Sequence, residues 1–533
     1  MRSFDYVIIG AGSAGSCLAN RLSANGKHSI CLIEAGPRDN DLRIKIPLAL
    51  VNLMKNPKYN WLFRSTPQVQ LNDQQIPIPR GKTLGGSSSI NSMVYIRGRA
   101  SDYDRWSKLG AEGWEWDKVQ NYFIKSENNT RFSEDPLHGN KGLLDVQDPM
   151  SPHPLCNDFI AAGGEIGIPE NNDFNGTSQE GMGVYQLTMR KGRRCSSADA
   201  FLKPALARSN LHVITGAEVE RIKFDGHRAK SIQFQQKNKS NEVSINRELI
   251  LSAGAIGSPV ILFKSGLGPL EVLQKNNIQP VQVLNGVGEN LQDHPACALH
   301  FSSLDSGYGL SLSTLHQILM APIQYLLAHR GLFASNTVEA GGFARTDKNL
   351  SEPDVQFHFI PARVGHGKHF ITWGRGYYAD VCLLKPNSRG RLWVDKAGEK
   401  LVPKIDLNLL SDENDMKKMV EGFKLLRRIF STTVFLQFNS QEVYPGDLIS
   451  SEQDIESFLR SRLGTAYHPV GTCRMGKKED PGTVVDSNLR LCGIENIRVA
   501  DASVMPEIVA GNTNAPSIMI AEKASDMILE SQP

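Results

Sequence analysis

The first 33 residues combine two short apolar runs with one stretch of helical periodicity. Residues 4–9 and residues 28–33 are rich in strand-forming apolar side chains, and apolar positions recur at helical spacing over residues 14–25. A glycine-rich turn joins the first run to the helical stretch. A strand, a turn, a helix and a strand in about 30 residues predict a βαβ unit with two parallel strands.

Further apolar patterns predict three more strands and two long helices. The strand-like runs are residues 211–214, 231–235 and 248–252. Apolar side chains at helical spacing predict an amphipathic helix over residues 416–430, with Ser411 and Asp412 as start signals. The last stretch, residues 514–531, is predicted to form a C-terminal helix.

The turn after the first strand has the sequence G-x-G-x-x-G over residues 10–15. Glycines at these positions permit a tight turn and a close approach of the backbone to pyrophosphate, whose charge the helix N-terminus attracts. Glu34 ends the second strand and is placed to accept a hydrogen bond from a ribose hydroxyl. These features predict a dinucleotide site, and they do not separate FAD from NAD.

Two more glycine-rich segments are typical of phosphate-binding or flavin-binding backbone. Residues 81–91 form a glycine-serine loop whose N–H groups can make an anion-binding nest. Residues 254–259 follow a predicted strand and are expected to open a helix, with Ser258 as the N-cap and Pro259 at the first helical position.

Composition excludes several classes of protein. The 59 Lys and Arg residues nearly balance the 56 Asp and Glu residues, so the chain lacks the basic footprint of a nucleic-acid-binding protein. The eight cysteines include no C-x-x-C pair, which argues against a zinc ribbon. Scattered cysteines without a secretory signal predict free thiols and a cytoplasmic location. The chain has no uninterrupted apolar run of 18 residues, so no transmembrane helix is predicted.

Two C-terminal segments, residues 467–476 and 501–516, complete a set of motifs with the three glycine segments. Together they resemble the glucose-methanol-choline (GMC) oxidoreductase family over nearly the whole chain. The resemblance implies FAD and an α/β fold: a Rossmann-like FAD-binding domain and a substrate domain on a six-stranded antiparallel sheet. The implied domains are residues 1–160, 190–295 and 460–533 for FAD, and residues 161–189 and 296–459 for the substrate.

His468 and Asn512 are the predicted catalytic residues. Pro469 and Gly471 place His468 in a tight turn, where its own sequence fits a general base and a backbone-satisfied turn histidine equally well. The resemblance matches His468 with the family's catalytic histidine and Asn512 with its second catalytic position, a donor to the developing alkoxide. A helix N-cap is the alternative role for Asn512, and Asn514 fits that role equally well.

The glycine motifs and the resemblance together define the predicted cofactor site. Its residues are Gly10, Gly12, Ser13, Ala14, Gly15, Glu34, Ala35, Arg80, Gly81, Thr83, Gly85, Gly86, Ser87, Asn91, Val94, Val219, Ala253, Gly254, Asp501, Ala502, Asn512 and Thr513. Ile90 stands where covalent-flavin members of the family carry a tethering histidine. Isoleucine cannot form that bond, so FAD is expected to be held noncovalently.

The resemblance implies oxidation of a primary, aliphatic and lipophilic alcohol to the aldehyde. His468 would take the hydroxyl proton, flavin N5 would take the hydride, and a quinone-type acceptor would take the electrons. Choline dehydrogenase is the nearest alternative, and a non-redox lyase or photodecarboxylase on the same scaffold is another. No nucleic-acid partner is expected.

Three other features have a weaker claim to function. Glu339 could face a cationic substrate, but a carboxylate that fixes the adjoining glycine turn is favoured. His358, His366 and His369 could pass for a metal set, but glycines beside the last two predict a loop, so no metal is expected. Residues 315–328 are strongly apolar, yet too short and too interrupted by proline to cross a bilayer. They fit a helix that covers the substrate sheet, or a peripheral contact with the inner membrane.

Overall fold

The computed structural model describes residues 2–364 and 372–531. Its strands are β1 (Arg2–Ile9), β2 (Ile30–Glu34), β3 (Phe63–Arg64), β4 (Pro77–Ile78), β5 (Glu127–Asn129), β6 (Leu144–Val146), β7 (Gly181–Val184), β8 (Met189–Arg190), β9 (Arg193–Arg194), β10 (Leu211–Thr215), β11 (Ala217–Asp225), β12 (Arg228–Gln236), β13 (Lys239–Leu251), β14 (Leu267–Gly268), β15 (Gln282–Val283), β16 (Pro295–Ser303), β17 (Gly309–Leu310), β18 (Ala340–Ala344), β19 (Val355–Ile360), β20 (Gly374–Leu383), β21 (Arg391–Ala397), β22 (Lys400–Asp406), β23 (Gln441–Tyr444), β24 (Gly464–Thr465) and β25 (Ile497–Val499).

The α-helices range from 3 to 18 residues in length. They are α1 (Ser13–Ser23), α2 (Leu42–Lys45), α3 (Leu50–Leu53), α4 (Ala100–Lys108), α5 (Trp116–Ser126), α6 (Leu155–Glu165), α7 (Lys203–Ala205), α8 (Gly254–Lys264), α9 (Leu270–Lys275), α10 (Leu315–Ala328), α11 (Glu413–Phe430), α12 (Thr433–Leu436), α13 (Glu452–Arg462) and α14 (Asn514–Glu530).

The first sheet has the strand order β10-β2-β1-β13-β12-β11, with β25 paired to β13. Strands β10, β2, β1, β13 and β25 are parallel, whereas β13, β12 and β11 form an antiparallel meander. All five residues of β2 are buried, as expected for a parallel strand covered on both faces. The predicted βαβ unit is confirmed as β1, α1 and β2.

Strand β13 is much longer than the sequence predicted. The apolar run at 248–252 matches only its end, because the strand begins at Lys239 and, in its first half, only Val243 and Ile245 are buried. That half pairs with β12 in a hairpin whose outer face meets solvent. Polar side chains on the exposed face therefore hid the start of the strand from a search for continuous apolar runs.

The second sheet is antiparallel and has the main order β23-β16-β20-β19-β18-β7. Two strands of two residues each extend it, β17 against β20 and β24 against β16. The fold class, a Rossmann-like sheet with a second antiparallel sheet, is confirmed. The resemblance implied six strands, and this sheet has six on its main path and eight in all.

The two sheets draw their strands from alternating parts of the sequence. The first takes residues 2–34, 211–251 and 497–499, and the second takes residues 181–184, 295–383 and 441–465. This alternation supports a discontinuous FAD domain. Strand β24 pairs within the second sheet although the prediction assigned residues 460–533 to the FAD domain. The domain boundaries stay predictions.

Helix α8 starts five residues before the predicted first helical position, so the predicted cap was wrong. The helix begins at Gly254, and Ser258 lies inside it. The Asp501 carboxylate accepts hydrogen bonds from the N–H of Gly254 at 2.8 Å and from the hydroxyl of Ser258 at 2.6 Å. A side chain 247 residues away in sequence thus satisfies the helix N-terminus that Ser258 was expected to cap.

Pro259 lies within the same helix, not at its first position. A proline has no N–H, so the carbonyl of Ala255, four residues earlier, loses its helical partner. The hydroxyl of Thr472 donates to that carbonyl at 2.6 Å. This tertiary hydrogen bond lets the helix continue through a residue that the sequence predicted as its first.

Helix α10 matches the apolar segment 315–328 and runs through Pro322 without a break. Only Ala321 and Tyr325 of its side chains are buried. The expectation of a helix that covers the substrate sheet is therefore not met, because most of its apolar surface is exposed. Within residues 2–364 and 372–531, no helix combines the length and the apolar character needed to span a membrane.

Candidate active site and dinucleotide cleft

A cleft of about 1760 Å³ is lined by residues of both sheets. It brings together His468 and most of the predicted cofactor residues. Those that line it are Gly10, Gly12, Ser13, Ala14, Glu34, Ala35, Arg80, Gly81, Gly86, Ser87, Asn91, Val94, Val219, Ala253, Gly254, Asp501, Ala502, Asn512 and Thr513. The remaining three, Gly15, Thr83 and Gly85, are not in the lining.

The glycines of the first turn are required by close packing. Gly10 has φ +98°, and a Cβ there would lie 2.5 Å from a main-chain oxygen just after β13. A Cβ on Gly15 would lie 1.8 Å from the oxygen of Gly10, so this glycine packs α1 against β1 and stands behind the lining. Gly12 faces Gly86 of the glycine-serine loop, and a Cβ on Gly86 would lie 2.7 Å from the Gly12 Cα. The result is a narrow backbone cradle at the N-terminus of α1.

Glu34 lies in the cleft wall beside this cradle. Its carboxylate accepts hydrogen bonds from the N–H of Ala11 at 2.9 Å and from the N–H of Gly36 at 2.8 Å. Burial raises its pKa to about 7, against the opposing effect of the two N–H donors. The carboxylate therefore shapes the turn as well as the wall, and its bond to a ribose stays a prediction.

Hydrogen bonds to other segments hold the glycine-serine loop in place. The N–H of Gly85 donates to the carbonyl of Ala11 at 2.7 Å, and the hydroxyl of Thr83 donates to the main chain at 2.9 Å. Arg194, which the sequence analysis missed, donates to the carbonyl of Asn91 at 2.6 Å and to its side-chain oxygen at 2.8 Å. Burial lowers the pKa of Arg194 to about 9. Nothing local in the sequence marks this buried arginine as a support for the loop.

Val219 lines the cleft from β11, where the ladder with β12 is irregular between Val219 and Arg221. An irregular ladder leaves main-chain groups off their regular pairing. The family resemblance implies a backbone contact of Val219 with the adenine of FAD; the irregularity suits this contact, which stays a prediction.

His468 lies where the cleft meets the second sheet. Its main-chain N–H donates to the Asp293 carboxylate at 2.7 Å. In its ring, Nε2 lies 3.1 Å from the side-chain nitrogen of Asn512, and Nδ1 lies 3.0 Å from Nδ1 of His294. Burial lowers the pKa of His468 well below its usual value. The ring is therefore neutral and has the lone pair that a general base needs.

Asn512 is not a helix cap. Helix α14 begins at Asn514, Thr513 is the residue before it, and no side chain caps it. The Asn512 amide oxygen instead accepts a hydrogen bond from Gln356 at 3.2 Å, while its nitrogen points to His468. Asn514 also does not cap the helix, because its side-chain oxygen accepts the hydroxyl of Ser13.

Asp293 and His294 also belong to the site, whereas the sequence predicts only that residues 293–295 shape a turn next to the cofactor domain. The Asp293 carboxylate accepts hydrogen bonds from the main-chain N–H of His468 and, at 2.8 Å, from the main-chain N–H of His294. Burial raises the pKa of Asp293 to about 6, and the nearby Arg80 opposes this effect. Arg80 itself donates to the carbonyl of Tyr467. Only the fold brings residues 293 and 468 together.

A second polar pair lines the cleft, on strands of the second sheet. His358 Nδ1 lies 2.8 Å from the Asp380 carboxylate. With Cys382 these two side chains form the one group within the described chain that is close enough to share a metal ion. Burial raises the pKa of the Cys382 thiol well above its usual value, so it stays protonated and is a poor ligand. His366 and His369 lie outside the described residues, and the expected lack of a metal stays a prediction.

Glu339 is buried and is not in the cleft lining. Its carboxylate accepts the N–H of His153 at 2.7 Å, the hydroxyl of Ser335, and the thiol of Cys156 at 3.6 Å. Its oxygens thus hold surrounding protein groups. This arrangement supports a structural role and not contact with a cationic substrate. The favoured glycine turn was wrong, because the adjoining residues form strand β18.

The residues present fit FAD. A backbone cradle in which a Cβ on Gly86 would meet Gly12, a helix N-terminus facing the cleft and the Glu34 carboxylate suit a dinucleotide. A neutral histidine beside an amide donor stands where the second sheet closes the cleft. Fold and site together define a dinucleotide-dependent oxidoreductase with a buried, neutral histidine in its cleft.

Comparison with known proteins identifies the family. The N-terminal and C-terminal models of the GMC oxidoreductases match residues 4–296 and 386–521. Alcohol dehydrogenase [acceptor] of Pseudomonas putida is 44% identical over 530 residues, covering 99% of this chain and 96% of that protein. An oxygen-dependent choline dehydrogenase of Rhizobium johnstonii is 41% identical over 531 residues, with the same coverage. The chain belongs to the GMC oxidoreductase family.

Solved structures agree with this assignment. Pyridoxine 4-oxidase from Mesorbium loti superimposes with a TM-score of 0.89 at 30% identity, covering 99% of this chain and 100% of that one. A formate oxidase superimposes with a TM-score of 0.90 at 25% identity, covering 100% and 99%. The predicted enzyme class, an FAD-dependent oxidoreductase acting on CH–OH groups, is confirmed, and so is FAD as the cofactor.

Proposed function

We propose that this protein oxidises a primary, lipophilic aliphatic alcohol to the aldehyde and passes the electrons to a quinone-type acceptor. The observation that carries the proposal is the pair formed by His468 Nε2 and the Asn512 amide nitrogen, 3.1 Å apart in the cleft lining. An alcohol oxygen placed between them would meet one acceptor for its proton and one donor for its developing charge.

The two residues divide the chemistry at the hydroxyl group. The hydroxyl proton passes to His468 Nε2, and the alcohol oxygen gains negative charge, which Asn512 stabilises by donating a hydrogen bond. The negative charge on oxygen drives the hydride off the α-carbon as the C=O bond forms. FAD, when bound, supplies the two-electron acceptor for that hydride at N5 and then the route to the external acceptor. A buried, neutral base suits this step, because a protonated histidine could not accept the proton.

The cleft walls support a lipophilic substrate. Apolar side chains line the part of the cleft between the segment that holds α2 and α3 and the second sheet. They are Leu48, Val51, Met54, Met93, Val338 and Ile360. Burial of an alkyl chain against such walls is worth about 0.8 kcal/mol per CH₂ group. A longer alcohol is therefore expected to bind more tightly than ethanol.

An anaerobic titration tests the proposal. The FAD-loaded enzyme is mixed with alcohols of increasing chain length and with choline, in the dark, and loss of the flavin absorbance is recorded. We expect rapid bleaching. The ratio of the flavin-reduction rate constant to the alcohol dissociation constant should rise with chain length. If no alcohol bleaches the flavin, a lyase or a photodecarboxylase becomes the better assignment.

Choline is the second candidate substrate, and Asp380 is the observation that favours it. The Asp380 carboxylate lines the cleft and its side chain is 26% exposed, although it is hydrogen-bonded to His358. A carboxylate in the substrate cleft attracts a quaternary ammonium group. Choline that bleaches the flavin faster than any aliphatic alcohol, with the gain lost in Asp380→Asn, would favour this assignment.

The exposed face of α10 supports peripheral membrane contact. Leu319, Met320, Ile323, Leu326 and Leu327 are all between 45% and 84% exposed. An apolar stripe of this size along one helix marks a surface that meets a membrane or another protein. It lies beside the cleft, because Tyr325 of α10 donates to the main chain of Lys45, and the segment after Lys45 lines the cleft.

Charge at the end of this helix favours a lipid surface as the partner. The β8–β9 hairpin packs against the helix C-terminus, where Arg193 donates to His329 at 3.0 Å. Lys191, Arg193 and Arg330 are exposed there. Cations beside an apolar helix face complement anionic headgroups beside acyl chains. Lipophilic alcohols and quinones dissolve in the bilayer, so docking through α10 would give both access to the cleft.

A further inference from the structure

One line of hydrogen bonds passes through the site and ends on a main-chain carbonyl at each side. It runs from the carbonyl of Val509 through His294, His468, Asn512, Gln356 and Tyr185 to the carbonyl of Phe357, at successive distances of 3.1, 3.0, 3.1, 3.2, 3.2 and 2.6 Å. A carbonyl oxygen only accepts hydrogen bonds. Both ends therefore fix which atom donates at each step.

The end at Val509 decides the proton positions of both histidines. Because the carbonyl of Val509 accepts, Nε2 of His294 must carry a proton. Burial lowers the pKa of His294 to about 3, so this ring holds one proton only and its Nδ1 is an acceptor. The contact between the two Nδ1 atoms then requires His468 to donate from Nδ1. Neutral His468 is left with its lone pair on Nε2.

The end at Phe357 leads to the same result independently. The Tyr185 hydroxyl donates to the carbonyl of Phe357, so its oxygen accepts from the amide nitrogen of Gln356. That nitrogen also donates to the oxygen of Asn512, which turns the Asn512 nitrogen toward His468. A donor therefore faces Nε2 of His468, which must be an acceptor.

We propose that His294 is a positioning residue, which holds His468 in the tautomer with its proton on Nδ1 and so keeps Nε2 free for the substrate hydroxyl. The proposal rests on the proposed function, in which His468 is the base. His294 is fully buried and is not in the cleft lining, so it acts through His468 and does not touch the substrate. Once His468 has taken the proton, His294 still accepts from Nδ1 and stabilises the charged ring.

Three variants at one position test the proposal. His294→Leu fills the space without an acceptor, and His294→Gln places its polar end near the former Nε2. His294→Asn places an oxygen near the former Nδ1, where it can accept from His468. Loss of the hydrogen-bond partner that orients a metal-ligating histidine costs about 10- to 100-fold, and we expect the same order of loss for a histidine base. We expect that loss in the flavin-reduction rate at saturating alcohol for the Leu and Gln variants, and most of the rate to be retained in the Asn variant.

Two further measurements separate positioning from general structure. FAD content and the alcohol dissociation constant should stay at wild-type values, since His294 contacts neither the cleft nor the substrate. The acid limb of the rate profile should move to lower pH in His294→Leu, because the charged His468 ring loses an acceptor. His227→Leu, an exposed histidine on a turn, is the matched control and should match wild type in every measurement.

Each outcome decides the matter. A wild-type reduction rate in His294→Leu, or an Asn variant no faster than the Gln variant, would overturn the proposal. If the Leu variant does not fold, the comparison of Asn with Gln decides. His468→Ala is measured alongside: a wild-type rate there overturns the proposed base itself, whereas a loss there with no loss in the His294 series overturns only the role of His294.

Discussion

The Asp293 carboxylate accepts the main-chain N–H of His468, a residue 175 positions later in the sequence, at 2.7 Å. The same oxygen accepts the N–H of His294. One buried carboxylate therefore sets the backbone positions of two imidazole rings that contact each other. The position of His468, the proposed base, is decided by this carboxylate, and the place of its proton by the neighbouring ring.

His468→Ala should retain FAD and lose most of its reduction by alcohol. The cradle that holds the cofactor does not depend on this side chain, whereas proton removal does. Loss of a general base costs about 10²- to 10⁴-fold. Stopped-flow measurement of anaerobic flavin reduction checks the rate, and the flavin-to-protein absorbance ratio is the control for FAD content. A wild-type rate would remove His468 from the mechanism.

Asn512→Ala should slow the same half-reaction by about 10²- to 10³-fold, the cost of one donor to a developing oxyanion. Asn512→Asp is the matched variant, since it keeps the size of the side chain but offers an acceptor in place of the donor. We expect it to be at least as slow as the alanine variant. An aspartate variant as fast as wild type would show that no donor is needed here.

FAD should be released completely on denaturation. Ile90 lines the cleft and has no group that can form a bond to flavin. After precipitation with acid, all the yellow colour should remain in the supernatant. Flavin fluorescence on the denatured protein band in a gel would contradict noncovalent binding.

Membrane contact should depend on the exposed face of α10. Leu319→Ser with Leu326→Ser should weaken sedimentation with anionic liposomes and leave FAD content unchanged, because these side chains are 66% and 77% exposed. The matched control is Leu436→Ser with Leu448→Ser, which removes two leucines of similar exposure, 64% and 92%, from another part of the surface. Equal liposome binding by the two double variants would argue against this docking surface.

A buried ion network should make stability fall at alkaline pH. His138 lies between the carboxylates of Glu127 and Asp173, and its pKa is raised to about 9 from the usual 6.5 because hydrogen bonds to both outweigh the effect of burial. A group whose pKa is raised in the folded state stabilises the fold fully at pH values below its unfolded-state pKa. This stabilisation is lost as the pH rises through the folded-state pKa. The contribution is therefore full below about pH 6.5 and disappears by about pH 9.

Urea denaturation midpoints measured from pH 6 to pH 10 check this expectation. His138→Gln keeps a polar side chain of similar size and cannot take the extra proton. The difference in midpoint between wild type and this variant should shrink as the pH rises from 6.5 to 9. A difference that stays constant across this range would mean that His138 does not carry the charge.

Much of this protein could be predicted from the sequence because its strongest signals are local. In the turn at residues 10–15, Gly10 has φ +98°, and a Cβ on Gly15 would meet the oxygen of Gly10 within the same turn. Helix α11 follows from apolar periodicity along one segment, with Asp412 capping it as predicted. Helix α10 agrees with its predicted range residue for residue. The motifs at both ends of the chain gave the family, the cofactor and the predicted catalytic pair, because each motif is recognisable without its partners.

Only the tertiary structure decided how distant residues act on each other. Asp501 satisfies the start of α8, Thr472 takes over the carbonyl released by Pro259, and His294 meets His468, and each of these contacts joins segments more than 170 residues apart. A hydrogen bond depends on distance and direction in space, and sequence separation carries neither. The residue types at the site could therefore be read from the chain, whereas the proton positions that make His468 an acceptor follow from two carbonyls that only the folded backbone brings to the site.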